Sequence, residues 1–300
     1  MKYYAVFDVG GSTIKYALMN ENGNFISKSY TPTPNSLAVF VNTINWVIEN
    51  YRDDYLLDGI AISIPGVVDI KKGTIGGISA IPYIHGPNIK HLLQDKTNLR
   101  VELENDGNCA GLAEGWLGNA KDVQDYVCIV LGSGIGGSIF LDKKLRHGTN
   151  LFAGEFGYMI MEDYLEQPHG VSWSSLASTK ALVNQVAKRK KRGSSIFDGK
   201  KIFQMADNGD RKVKNEIEKF TKRLAVGIYN IQHVIDPEKF LIGGAITERY
   251  DLIDKINEKL LGMKGRIDIR VEKCKFENDS NLIGALYNFR QQENSINILY

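Results

Sequence analysis

The sequence is poor in residues that build covalent or metal cross-links. Three cysteines, Cys109, Cys128 and Cys274, lie far apart with no C-x-x-C pair. That excludes a disulfide framework and a cysteine-based zinc site, and points to a reducing compartment. Five histidines, His85, His91, His147, His169 and His233, show no metal-ligand spacing, so satisfied or surface roles are expected. No apolar run reaches the ~18 residues that a membrane span needs. The opening MKYYAVFDVGG lacks a hydrophobic signal core and a cleavage site, so a cytoplasmic protein is expected. An excess of one charge is missing too. With 37 basic and 35 acidic residues the net charge is +2, too small for a nucleic-acid surface over the whole molecule.

Glycine is plentiful, at 30 residues, and clusters after apolar runs. YYAVFDV, STIKYALMN and FISKSYT read as three strands joined by tight turns. Apolar residues at helical spacing (Leu37, Phe40, Val41, Ile44, Val47, Ile48) predict a helix next. A strand ending at Pro65-Gly66, a short helix NIKHLLQDKTN, the buried strand LRVELEND and the helix GNCAGLAEGWLG complete the first half. The second half repeats the theme with YVCIVLGSGIGGSIFLDKK. Helices TKALVNQVAKRKKRG and KNEIEKFTKRLAVGIYNIQHVIDP follow, then the strand EKFLIGGAI and the helix NLIGALYNFRQQ. A strand–glycine turn–strand near the start of each half predicts a two-domain α/β protein with a cleft between the halves. The expected domains are residues 1–118 and 119–300, with helix 281–292 a candidate to pack back on the first.

Gly132, Gly134 and Gly137 have the G-x-G-x-x-G spacing of a dinucleotide-binding turn. That fingerprint must open a helix, whose N-terminus receives the pyrophosphate. Here the alternating SIFLD follows, so a hairpin is expected and NAD binding is not; Glu155 then has no ribose to bind. A glycine hairpin still lets backbone N–H groups approach phosphate oxygens closely. FDVGGSTIKYAL offers the same device with Asp8, Gly10, Gly11, Ser12 and Lys15. A carboxylate facing phosphates needs a cation between them, so Asp8 implies Mg²⁺, reached through water. Asn105 and Asp106 fall where a strand meets a helix: Asp106 is either a helix cap or a carboxylate able to take a proton from a substrate hydroxyl. Gly243-Gly244, after a buried strand, offer a flat backbone for an adenine ring.

Together, Asp8-Val9-Gly10-Gly11-Ser12 with Lys15, IPGVVD at 64–69, ENDGNCAGLAE at 104–114, GSGIGG at 132–137 and AGEFGYM at 153–159 resemble the ROK family. These are the repressors, open reading frames and sugar kinases of the actin/hexokinase-like ATPase superfamily. The resemblance runs in order from residue 5 to about residue 288. It implies two ribonuclease-H-like domains closing on ATP-Mg and a sugar. By that resemblance Asp106 is the general base, and Asn105, Asp106, Glu155, Gly66 and Tyr158 contact the sugar. Asp8, Gly10, Gly11, Ser12 and Lys15 hold phosphates together with Gly132, Ser133, Gly134, Gly136 and Gly137, while Gly243 and Gly244 lie near the adenosine.

The departures are informative. Many members follow the Gly-Glu segment with Gly-His, a zinc-binding cysteine cluster, and a Leu-Glu pair whose acid touches the sugar. Here Tyr158 replaces the histidine, EQPHGVSWSSLAS has no cysteine, and Ser174 stands about where that acid would fall. A structural zinc site is therefore not expected. Fewer contacts at the reducing end leave room for an aglycone, and the segments resemble β-glucoside kinases, which phosphorylate cellobiose and related glucosides at the 6-hydroxyl. The alternatives are a glucokinase, an N-acetylmannosamine kinase, or a sugar-responsive regulator. The regulators carry a helix-turn-helix domain ahead of the first hairpin, where this sequence has seven residues before Asp8. The basic run Lys188–Arg192 has no interleaved aromatics and reads as a solvated helix end, so no nucleic-acid or membrane partner is expected. An actin-like filament ATPase would lack the Asn105-Asp106 and Glu155 segments. Homodimers are a family habit.

Overall fold

The computed structural model describes residues 1–162, 171–263 and 268–297, with side chains through 293. His169 and the 166–170 part of the cysteine-free segment lie outside them. The chain forms two compact units. One comprises Met1–Leu117, His147–Phe152 and the chain from Asp279; the other comprises Gly118–Arg146 and Ala153–Asn278. Within 119–300, two stretches thus join the first unit: His147–Phe152, and the chain from Asp279 that holds the helix considered for it.

In the first unit, β1 (Tyr3–Val9), β2 (Thr13–Asn20) and β3 (Phe25–Pro32) form an antiparallel meander, followed by α1 (Leu37–Arg52) and β4 (Leu57–Ile64). A small hairpin, β5 (Val67–Asp69) and β6 (Thr74–Gly76), precedes α2 (Ile89–Thr97), β7 (Val101–Asn105) and α3 (Asp106–Leu117). The sheet order is β3-β2-β1-β4-β7, with β1, β4 and β7 parallel. The apolar runs in β1 and β4 are buried on both faces, as parallel strands under helices must be. One face packs on α1 through Phe40, Ile44, Val47 and Ile48.

The second unit repeats this order. β8 (Tyr126–Leu131), β9 (Ile135–Leu141) and β10 (Lys144–Leu145) form the meander. A short ladder, β11 (Ile160–Glu162) with β12 (Val171–Ser172), leads to α4 (Trp173–Ala177), α5 (Thr179–Lys190), α6 (Gly199–Asp207) and α7 (Arg211–Ile235). Then come β13 (Lys239–Gly243), α8 (Leu252–Leu261) and β14 (Val271–Lys273). The sheet order is β10-β9-β8-β13-β14, with β8, β13 and β14 parallel. Helix α7 starts where Asp210 accepts the N–H groups of Lys212 and Val213, and stops at Asp236, in the left-handed region before Pro237. Its buried stripe, Ile217, Phe220, Leu224, Ile228 and Ile231, joins the core around fully buried Trp173.

Helix α9 (Ser280–Asn297) returns to the first unit and packs on α3, β4 and β7. It lies so close to α3 that a methyl group on Gly284 would fall 1.8 Å from the Cys109 carbonyl oxygen. The basic run ends α5, where Lys190 pairs with Asp210 and Arg189 with Glu216 at 3.5 Å. No described helix is long and apolar enough to cross a membrane.

Candidate active site

The β1–β2 turn carries the first group of candidate residues. Asp8 and Lys15 face each other in register across the strands, their charges 3.3 Å apart. Asp8 is 8% exposed, and a carboxylate so placed needs donors. Besides Lys15, Ser63 Oγ on β4 donates at 3.3 Å and Asn281 Nδ2 at the start of α9 at 3.0 Å. Sequence reasoning missed both, which lie 55 and 273 residues away. Gly10 O accepts the Thr33 hydroxyl at 2.6 Å, bracing the turn, while Gly11 and Ser12 remain exposed.

The junction of β7 and α3 carries the second group. Asp106 is exposed, with Oδ1 accepting the Gly107 N–H at 2.8 Å. Asn105 is held on both sides: Nδ2 donates to Gly66 O at 2.9 Å and Oδ1 accepts the Asn108 N–H at 3.1 Å. Gly66 adopts φ 112°, with Ile75 and Gly76 packed against it, so glycine is required where its carbonyl meets Asn105. Beneath the junction lies Glu104, fully buried, which accepts the Asn105 N–H at 2.8 Å, Asn108 Nδ2 at 2.9 Å and His147 Nε2 at 2.8 Å. That hydrogen bond raises the His147 pKa above its usual value, against a lowering by burial. Nearby, burial pushes the Cys109 thiol well up, with the charge of Glu104 adding to it, so this cysteine is a packing residue rather than a nucleophile.

In the second unit, β9 follows the glycine turn directly, as a hairpin. The glycines fall into two kinds. A methyl on Gly137 would lie 2.4 Å from the Cys128 carbonyl oxygen and 2.7 Å from Phe156, so packing accounts for it. A methyl on Gly244, which adopts φ 101°, would lie 2.1 Å from the Leu131 carbonyl oxygen, so it is explained likewise, and a methyl on Gly243 would lie 3.1 Å from Cys274 Sγ. Gly132 and Gly136 have no such reason: a methyl on either would meet open space, and neither has a positive φ. The Ser133–Gly134 tip lies between them, and Gly134 O accepts the Gly132 N–H at 2.9 Å. Gly132 O in turn accepts the Lys180 N–H at 3.3 Å, and the Thr179 hydroxyl reaches Leu131 O at 3.4 Å. The turn therefore sits at the N-terminus of α5, whose dipole favours an anion. That helix comes from later in the chain, which is why the sequence motif did not reveal it.

Ser174 Oγ accepts the Ile135 N–H at 2.8 Å, tying α4 to the hairpin. Glu155 is half-buried, and burial alone raises its pKa; Gly154 before it packs on Gly137 and Ser138. Tyr158, in the turn that follows, is 69% exposed. Among the described residues no cluster of three or more His, Cys, Asp or Glu could hold a metal ion.

Two sheets of one strand order, each opening on a glycine-lined turn, define an α/β protein of the actin/hexokinase-like fold. The chain belongs to the ROK family, whose profile matches residues 3–292. It is similar to the β-glucoside kinase of Listeria monocytogenes, at 33% identity over 97% of this chain and 98% of the relative. Among solved structures it resembles a ROK family protein from Streptococcus pneumoniae in complex with sucrose, at 33% identity and TM-score 0.89, covering 98% and 99% of the two chains. A ROK glucokinase from Streptomyces griseus in complex with glucose and AMPPNP matches at 26% identity and TM-score 0.82, covering 96% and 99%. The chain is an ATP-dependent carbohydrate kinase.

Proposed function

We propose that this kinase transfers the γ-phosphoryl group of ATP to the 6-hydroxyl of a glucosyl unit, with β-glucosides such as cellobiose as its favoured substrates. The observation that carries the substrate reading is Ser174. Its hydroxyl is engaged by the Ile135 N–H, where many family members present a sugar-binding acid. Without that acid the reducing end lacks a carboxylate partner, and a glycosidic substituent meets no unpaired charge there. Exposed Tyr158 offers the aglycone an aromatic face. The 33% identity to a β-glucoside kinase supports this assignment. The sucrose complex of a relative bears on the capped anomeric carbon alone, because the glucosyl unit of sucrose is α-linked.

In this reading Asp106 accepts the proton of the 6-hydroxyl as that oxygen bonds to the γ-phosphorus. The bond from phosphorus to the β,γ-bridging oxygen breaks and ADP leaves. Asn105, fixed between Gly66 and Asn108, orients a sugar hydroxyl, and Glu155 accepts from others. Backbone N–H groups at the tips of the two turns, Gly11–Ser12 and Ser133–Gly134, take the phosphates, helped by the N-terminus of α5. The donor set fits Mg²⁺ held mainly by phosphate and water: Asp8 is one carboxylate, already steadied by three side-chain donors, and the described residues form no protein cage around it. Bound there, the ion would offset phosphate charge.

The test is a panel of glucose, N-acetylmannosamine, cellobiose and aryl β-glucosides scored by coupled ADP release, with Asp106→Asn alongside. Cellobiose or an aryl glucoside is expected to give the highest kcat/KM. Asp106→Asn is expected to lose at least about a hundredfold in kcat while still binding sugar. Preference for free glucose over every β-glucoside would reject the substrate reading, and a near-normal Asp106→Asn the assignment of the base.

A further inference from the structure

We propose that His147 is a positioning residue for the Asn105–Asp106 pair, acting through the buried carboxylate of Glu104. This rests on reading that pair as the sugar-facing one. A carboxylate with no exposure is costly unless each oxygen finds a donor. The Glu104 Oε1 atom takes two, the Asn105 N–H at 2.8 Å and Asn108 Nδ2 at 2.9 Å. Both belong to the turn that presents Asn105 and Asp106. The Asn108 N–H also holds Asn105 Oδ1, so one triangle fixes the peptide before Asp106 and the Asn105 amide.

Oε2 receives its donor from elsewhere. His147 Nε2 reaches it at 2.8 Å from 43 residues further along the chain. Glu104 is the ionisable group acting on His147, and the buried Cys109 thiol feels Glu104, Asp8 and Asp106 together. His147 therefore brings a donor, and positive charge whenever it is protonated, into a setting of carboxylates. Without it Oε2 is left buried without that donor and the carboxylate must turn toward another, which loosens Oε1 from the Asn105 N–H and so moves Asp106.

Its place in the chain adds to this. His147 opens the short His147–Phe152 excursion by which the chain visits the first unit before returning at Ala153, two residues before Glu155. The same segment thus leads from the Glu104 brace in the first unit to Glu155 in the second.

The experiment compares His147→Ala, His147→Gln and Asp106→Asn with the wild type, using whichever sugar the wild type phosphorylates best. Glutamine keeps an N–H for Glu104 but cannot ionise. His147→Ala is expected to lose about ten- to a hundredfold in kcat/KM for the sugar, with the KM for ATP within about twofold. His147→Gln should recover most of the loss near neutral pH and remove the alkaline inflection that the histidine contributes. Kinetics of His147→Ala within twofold of wild type, or a lowered Tm with kcat and both KM values kept, would overturn the proposal. Should His147→Ala fail to fold, Glu104→Gln, His147→Gln and their double variant carry the test: non-additive losses support the brace and additive ones reject it. An inactive Asp106→Asn beside an unimpaired His147→Ala rejects the brace alone, whereas an active Asp106→Asn rejects the site reading beneath it.

Discussion

At Gly132 an added methyl group meets open space, whereas at Gly137 it meets a backbone oxygen 2.4 Å away. These two glycines belong to one motif and have different physical reasons to exist. Gly132→Ala should fold with an unchanged Tm while raising the KM for ATP several-fold, because the methyl intrudes only on an approaching phosphate. Gly137→Ala should lose about 1–3 kcal/mol of stability through overpacking, read as a lower denaturation midpoint. Equal effects of the two would contradict the distinction. Sequence spacing exposed the groups that lie in short motifs: Asp8, Lys15, Asn105, Asp106 and the glycines. It could not expose Ser63, Asn281, Glu104 with His147, or the α5 N-terminus. Their partners are remote in the chain, and no local pattern marks a buried serine or histidine as the neighbour of a distant carboxylate.

Long, strongly periodic elements were legible from the sequence because one face carries many apolar residues. The stripe from Ile217 to Ile231 predicts α7, and the three-strand meanders announce themselves by their turns. The helices α6 and α8 and the small hairpins went unread. Each buries only a few residues, Ile202, Phe203 and Ala206 in α6, and Leu252, Ile256 and Leu260 in α8. The packing of α9 on α3 follows from small residues that let the backbones meet. A β-carbon at Gly284 would overlap the Cys109 carbonyl, so Gly284→Ala must push the helices apart. We expect a loss of about 3 kcal/mol, measurable as a lowered urea midpoint. Because Asn281 on the same helix donates to Asp8, kcat should fall as well.

Across the whole molecule, two sheets with the same strand order place their glycine turns at equivalent points, between the first two strands of each. The pH dependence of stability is a property at this scale. The folded-state pKa of His147 is raised, so its pairing with Glu104 contributes fully below the unfolded value of ~6.5 and fades as pH climbs through the folded value. Wild type should therefore exceed His147→Gln in urea midpoint at about pH 6, and the gap should shrink by about pH 8.5. A gap that widens with pH would contradict the assignment. The interleaving of the two units has one more consequence, for biosynthesis. The helix that covers α3, β4 and β7 leaves the ribosome only after every strand of the second unit has been made. At ~5–20 residues per second, the nascent first sheet waits on the order of ten seconds with an apolar face uncovered. During that interval the unfinished chain is a natural client for a chaperone.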